Sequence, residues 1–129
     1  MNRKTPLGHV LGLGSAKQGS GHWWSQRMSA VAMAPLGLWL VWSLAGLVNG
    51  QAPDYTTLTQ WLRAPLNTVL VSLTLLVMLY HSHLGIQVIL EDYIKHGWLR
   101  VTTMILQKFV HVALAFAGIY SVLKIAFGA

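Results

Sequence analysis

Two stretches of the sequence, Met28 to Val48 and Leu66 to Leu90, contain no Asp, Glu, Lys or Arg. At ~1.5 Å rise per residue, each is long enough to cross a hydrocarbon core ~30 Å thick. A chain of 129 residues that carries both has little left from which to build a water-facing shell. Charged residues make up only 9% of it, against about 25% in an ordinary soluble domain. Lipid is therefore the expected solvent. A third run, Val101 to Phe127, is interrupted by Lys108, His111 and Lys124. Both lysines are read as close enough to an end to snorkel, so this run too is expected to span. The expected fold class is all-α, a three-helix transmembrane anchor with spans at about 28–48, 66–90 and 101–127. A polar segment and interfacial lead, 1–27, precedes the transmembrane domain, 28–129.

The cations set the expected orientation. Arg3, Lys4, Lys17 and Arg27 precede the first span, and Lys95 and Arg100 lie between the second and third. The loop from Asn49 to Pro65 offers only Arg63, and the C-terminal end offers Lys124. The positive-inside rule then puts the N-terminus and the His81–Arg100 end in the cytoplasm, and the C-terminus across the membrane. Trp23, Trp24, Trp61 and Trp98 stand where an aromatic belt would mark the span boundaries. The net charge of +6 comes from scattered residues, not a stripe, so it signals orientation and headgroup contact and no nucleic acid partner is expected.

Other features exclude chemistry. The absence of cysteine removes thiolate-held zinc and iron–sulfur clusters, so any metal must be held by nitrogen or oxygen. No apolar core with a small-residue cleavage site precedes Gln26, so no signal peptide is expected. The glycine-rich lead GHVLGLGSAKQGSG, residues 8–21, has no strand before it and no GKS or GKT after it. It reads as a flexible tail, not a phosphate loop. Gly46 and Gly50 form a GxxxG whose second glycine has already left the first span.

The chemistry-bearing stretch is HSHLGIQVILEDY, residues 81–93. Histidines two apart on a helix point about 200° from each other, so His81 and His83 cannot grip one metal ion together. His81 and Asp92 are close to three turns apart and share a face, with His81 ~16 Å deeper. An imidazole at that depth is costly unless bonded. A b-type haem satisfies it, because neutral imidazole ligates iron while the macrocycle suits an apolar interior. A histidine that merely donates to a neighbouring carbonyl satisfies it equally. His111 lies at a similar depth in the third span, so ligation by His81 and His111 together is also open, as is chance coincidence of depth. Glu91, Asp92 and Tyr93 fall where the span leaves the membrane. There they are solvated anchors, or else a phenol that donates to a quinone carbonyl beside a carboxylate that relays protons.

The pattern His81-x-x-x-Gly85, Gln87-Val88, Asp92-Tyr93 closely resembles the second helix of the smaller membrane-anchor subunit of succinate dehydrogenase, respiratory complex II. GSGHWWSQRMSAVAMAPL, residues 19–36, resembles the start of the first helix in the alphaproteobacterial forms of that subunit. The resemblance implies a haem b-binding anchor that packs with a larger cytochrome b-type anchor subunit into a membrane bundle. FAD and the iron–sulfur clusters would reside in the flavoprotein and iron–sulfur subunits, and the complex would link the tricarboxylic acid cycle to electron transport. The isolated chain would not be catalytic. The resemblance makes His81 an axial ligand of the haem iron, the second ligand coming from the larger anchor. It makes Tyr93 and Asp92 quinone-binding residues for ubiquinone, and sets Arg27 near the haem propionates and the quinone pocket. Gly85 would allow close approach of the porphyrin or of a helix. The implied location is the bacterial inner membrane. His83, Lys108 and His111 match no family role. Two other readings stay open: a stand-alone haem b cytochrome ligated by His81 and His111, and a small transporter or adaptor that uses Lys108 and His111.

Overall fold

The computed structural model describes residues 19–48 and 52–128. The lead segment before Gly19 and the second glycine of the GxxxG lie outside the described residues. Four helices follow in order: α1, Gly19–Ala45; α2, Tyr55–Arg63; α3, Pro65–Tyr93; and α4, Gly97–Phe127. No strand occurs among the described residues. The helices α1, α3 and α4 are each long and apolar enough to cross a membrane. All three start ahead of the uncharged runs, because polar residues such as Ser25, Gln26, Arg27 and Arg100 join the helix ends at no cost to backbone hydrogen bonding.

The short helix α2 falls in the stretch expected to be a loop. Its start is built by Asp54, whose carboxylate accepts from the Thr57 N–H at 2.8 Å. That cap satisfies one of the donors left open by the first turn. The helix ends at Ala64, whose backbone is extended, the conformation favoured before a proline. Pro65 then opens α3, at the position where a missing N–H costs nothing. Two side chains of α3 close the corner: Asn67 Nδ2 donates to Trp61 O at 2.8 Å, and Thr68 Oγ1 donates to Leu62 O at 2.6 Å. Trp61 stacks on Trp39 of α1 with ring centroids 6.0 Å apart, and its Nε1–H donates to Ser43 Oγ at 3.0 Å. Thus Trp61 ties α2 to α1, whereas Trp23, Trp24 and Trp98 are exposed as boundary anchors would be. At the far end α4 stops at Gly128, which adopts the left-handed conformation at φ 73°.

Helix α3 is the middle of the layer. It packs against α1 on one side and α4 on the other, while among the described residues the α1 and α4 backbones do not come close to each other. This arrangement leaves the bundle nearly inside out. Leu84 is the one buried large apolar residue among those described, and the other buried side chains are Ser29, Thr74 and Gln107. The large apolar groups point outward, as with Trp42, Phe116 and Leu38. In lipid nothing drives apolar groups inward, so small and polar side chains gather between helices, where they pack closely and bond. At Gly118 of α4 any Cβ would run into the Leu75 side chain of α3.

Candidate functional site

His81 sits on the face of α3 turned toward α1, half-buried between Gln26 and Ser29. Ser29 Oγ lies 3.0 Å from Gln26 O and 2.9 Å from His81 Nδ1. A carbonyl can only accept, so in one of the two tautomers the hydroxyl gives its proton to Gln26 O and the Ser29 oxygen accepts from His81 Nδ1–H; in the other the hydroxyl donates to Nδ1. The first of these leaves the lone pair on Nε2. The one group that faces that nitrogen is Gln26 Nε2, at 3.4 Å, the long limit of a hydrogen bond. The Gln26 Oε1 atom is buried without a partner, as is His22 Nε2 one turn earlier. A proton fixed on Nδ1 by a neighbour, with Nε2 left as donor, is the arrangement by which histidine presents itself to a metal.

Gly85 lies one turn from His81, also facing α1, and a Cβ there would stand 3.6 Å from Gln26 Nε2, an ordinary contact. Arg27, the neighbour of Gln26, is exposed, with its guanidinium carbon 5.5 Å from the centre of the Trp23 ring. Asp92 and Tyr93 close α3 at its exposed end, with the Tyr93 side chain 82% accessible. They lie ~16 Å along the axis from His81, so Arg27 shares the level of His81, not that of Tyr93. Glu91, just before them, accepts from Gln87 Nε2 at 2.9 Å.

His83 and His111 form a second cluster on the opposite side of α3. Their rings meet edge to face with centroids 5.5 Å apart. His111 Nδ1–H donates to Gln107 O at 2.9 Å, and Gln107 Nε2 donates to His83 O at 2.8 Å. The possibility that His81 and His111 jointly ligate one ion is therefore corrected. His111 lies on the α4 side against His83, while His81 faces α1, and the α3 backbone separates them. The 200° rule placed His81 and His83 apart correctly; depth alone could not say which of them meets His111. No group of three or more potential metal ligands exists among the described residues. Sequence reading did not single out Ser29, Gln26 or Gln107. The first two stand inside the quoted helix-one motif, where their polarity was the available signal.

Three helices long and apolar enough to cross a membrane, with a histidine held between two of them, define a multi-pass helical membrane subunit. The sequence profile of the succinate dehydrogenase/fumarate reductase transmembrane subunit matches residues 1–123. The chain belongs to that family, as a membrane-anchor subunit of succinate dehydrogenase. It is 37% identical over 94 residues to the succinate dehydrogenase hydrophobic membrane anchor subunit of Rickettsia conorii, covering 72% of each chain. The corresponding subunit of Rickettsia bellii is 35% identical over 109 residues, 84% of this chain and 85% of the relative. The succinate dehydrogenase membrane anchor subunit of Reclinomonas americana is 31% identical over 97 residues, 74% of this chain and 80% of the relative. No solved structure matches.

Proposed function

We propose that this chain docks the flavoprotein and iron–sulfur subunits of succinate:ubiquinone oxidoreductase to the bacterial inner membrane, shares a haem b with a larger anchor subunit, and helps form the site where ubiquinone is reduced. The observation that carries the haem assignment is the Ser29–His81 bond. With the proton on Nδ1, it leaves Nε2 as an available donor deep in an apolar span, which is the one contribution a haem shared between two subunits needs from this chain. His81 would be the axial ligand and Ser29 its orienting partner. Arg27, at the same level, would meet the anionic edge of the macrocycle and the approach to the quinone pocket, and Gly85 would leave room beside it. When bound, the haem supplies a one-electron redox centre. The N-terminus and the Tyr93 end would face the cytoplasm, in keeping with the cations that cluster there.

Tyr93 is free to donate its phenolic proton in a hydrogen bond to a quinone carbonyl. That bond strengthens as the oxygen gains negative charge, so it favours the reduced form over the bound substrate. Asp92 stands beside it at the helix end, exposed to water, where a carboxylate can pass protons inward. In this reading Tyr93→Phe lowers quinone reductase activity of the purified complex while succinate oxidation by an artificial dye survives. Equal loss of both would make Tyr93 an assembly residue. The haem assignment is tested on the same preparation by a reduced-minus-oxidised absorption spectrum. A b-type signal in the native complex that is lost or strongly altered by His81→Ala supports it, and an unchanged spectrum overturns it.

A further inference from the structure

At the end of the bundle away from Tyr93, a cavity of about 380 Å³ opens between α2 and the end of α4. Two stripes of side chains face each other across it. Tyr55, Thr59 and Arg63 follow one another at four-residue steps on α2, and Ser121, Lys124 and Ile125 stand on α4, with Gly128 just past its end. Spacings of three and four residues keep each stripe on one face of its helix. The depth of the cavity follows from α1. From the exposed Arg27, which stands over Trp23 as at a membrane boundary, α1 rises about 27 Å to Ala45, close to the ~30 Å of a hydrocarbon core. Helix α2 lies beyond that end, so the cavity sits at the headgroup level of the opposite leaflet.

The lining side chains differ in what they still have to give. Ser121 Oγ–H donates to Ala117 O at 2.8 Å and Thr59 Oγ1–H to Thr56 O at 2.9 Å, so neither hydroxyl offers a proton to a ligand. Arg63 spends one donor, Nε–H, on Ile125 O at 3.3 Å. Gly128 leaves room for that approach, since a Cβ there would stand 3.1 Å from Arg63 Nη2. Capping of the helix end accounts for this one bond. It does not account for Lys124 in the same cavity, because a helix C-terminus carries only about half an elementary charge against the two full ones. None of the three acidic side chains, Asp54, Glu91 and Asp92, lines the cavity. The donors that remain are the Arg63 Nη groups, Lys124 Nζ and Tyr55 Oη. A planar fork beside a compact ammonium is a donor set suited to phosphate oxygens. We propose that this cavity holds a phosphate group, gripped by Arg63 and Lys124, and that at this level the group belongs to the headgroup of an anionic phospholipid. A zwitterionic headgroup brings its own ammonium toward the two cations, which an anionic one does not. This rests on the chain spanning a membrane and not on the haem or quinone assignments, so either can fail without the other.

The test uses the native complex in phosphatidylcholine bilayers doped with a probe lipid, either phosphatidylglycerol or phosphatidylcholine, that bears a diazirine just below its glycerol. After photolysis the labelled peptides are identified by mass spectrometry. The phosphatidylglycerol probe should label the segments 55–63 and 121–128 about fivefold more than the phosphatidylcholine probe, the effect of one basic side chain on an anionic lipid. Lys124→Gln should remove most of that excess and Lys124→Arg should retain it, while labelling around Lys95 and Arg100 stays the same. Millimolar inorganic phosphate at constant ionic strength separates the two sources of the group. An excess that phosphate leaves unchanged assigns the site to lipid, whereas an excess lost at these two segments alone keeps the phosphate group and overturns lipid as its source. Equal labelling by the two probes, or an excess that Lys124→Gln leaves intact, would overturn the proposal outright. Lys124 is exposed near the end of α4, so Lys124→Gln should assemble, and the comparison of the two probes on the native complex is decisive without it.

Discussion

Ser29 Oγ bonds His81 Nδ1 across 2.9 Å and stands 3.0 Å from Gln26 O. One hydroxyl thereby holds the imidazole in its rotamer. Partners of this kind are worth about 10–100-fold in metal affinity where the histidine is a ligand. Ser29→Ala should therefore lower haem content, or shift the haem potential, in the purified complex, whereas Ser29→Thr, which keeps the oxygen, should restore most of it. The measurement is haem per complex together with a redox titration of the b-type band. A structural role alone would lower the yield of complex and leave the potential of the surviving molecules where it was.

The two glycines of the helix interfaces should respond differently to the same methyl group. At Gly118 a Cβ overlaps Leu75, and both belong to packed helices. Gly118→Ala should force the Leu75 side chain off its rotamer, at about 0.5–1.5 kcal/mol, and lower the thermal midpoint of the complex in detergent. At Gly85 the methyl meets Gln26 Nε2 at ordinary contact distance, so the α1–α3 packing of Gly85→Ala should be undisturbed. If Gly85→Ala nonetheless perturbs the haem band, the space is reserved for the macrocycle and not for α1.

The three spans were legible because absence of charge over a bilayer's thickness is a strong and simple constraint. The opposed directions of His81 and His83 were legible from the helical period alone. What could not be read was the choice of neighbour. Depth matched His111 to both His81 and His83, and the order of helices around α3 decided in favour of His83. Helix α2 is not visible as an apolar run, although Asp54 followed by Tyr-Thr-Thr is a capping sequence, because the segment is short and polar. Ser29 at the start of the apolar run, and Gln26 in the polar lead before it, gain meaning only when the partner helix is placed.

Asp54 is held below the ordinary carboxylate range by the hydrogen bonds from Thr57 at the start of α2. A group whose folded pKa is depressed adds stability that is present above its unfolded pKa and lost as pH falls through the folded value. The cap should therefore be intact at neutral pH and weaken only in the acid range, below the usual carboxylate titration. Hydrogen exchange at the first turn of α2 should speed up there. Asp54→Ala should show fast exchange at all pH values, and Asp54→Asn, which still caps, should remain slow and lose the pH dependence.

Gln107 offers a separate measure of what polar contacts are worth between these helices. Its Nε2 donates to His83 O, but its Oε1 is buried without a partner. Interhelical side-chain bonds in membranes average about 0.6 kcal/mol, and Gln107→Leu also removes the unpaired oxygen, whose burial is itself unfavourable. The two effects oppose each other, so Gln107→Leu should change stability by less than about 1 kcal/mol. Gln107→Ala loses the bond and opens a gap between α3 and α4, so it should be clearly more destabilising. The His111 ring should stay in place in both variants, since it donates to the backbone carbonyl of residue 107, which substitution does not remove. Thermal unfolding of the complex in detergent gives the comparison. A Gln107→Leu loss as large as that of Gln107→Ala would mean that the bond to His83 O holds the two helices together more firmly than an average membrane hydrogen bond.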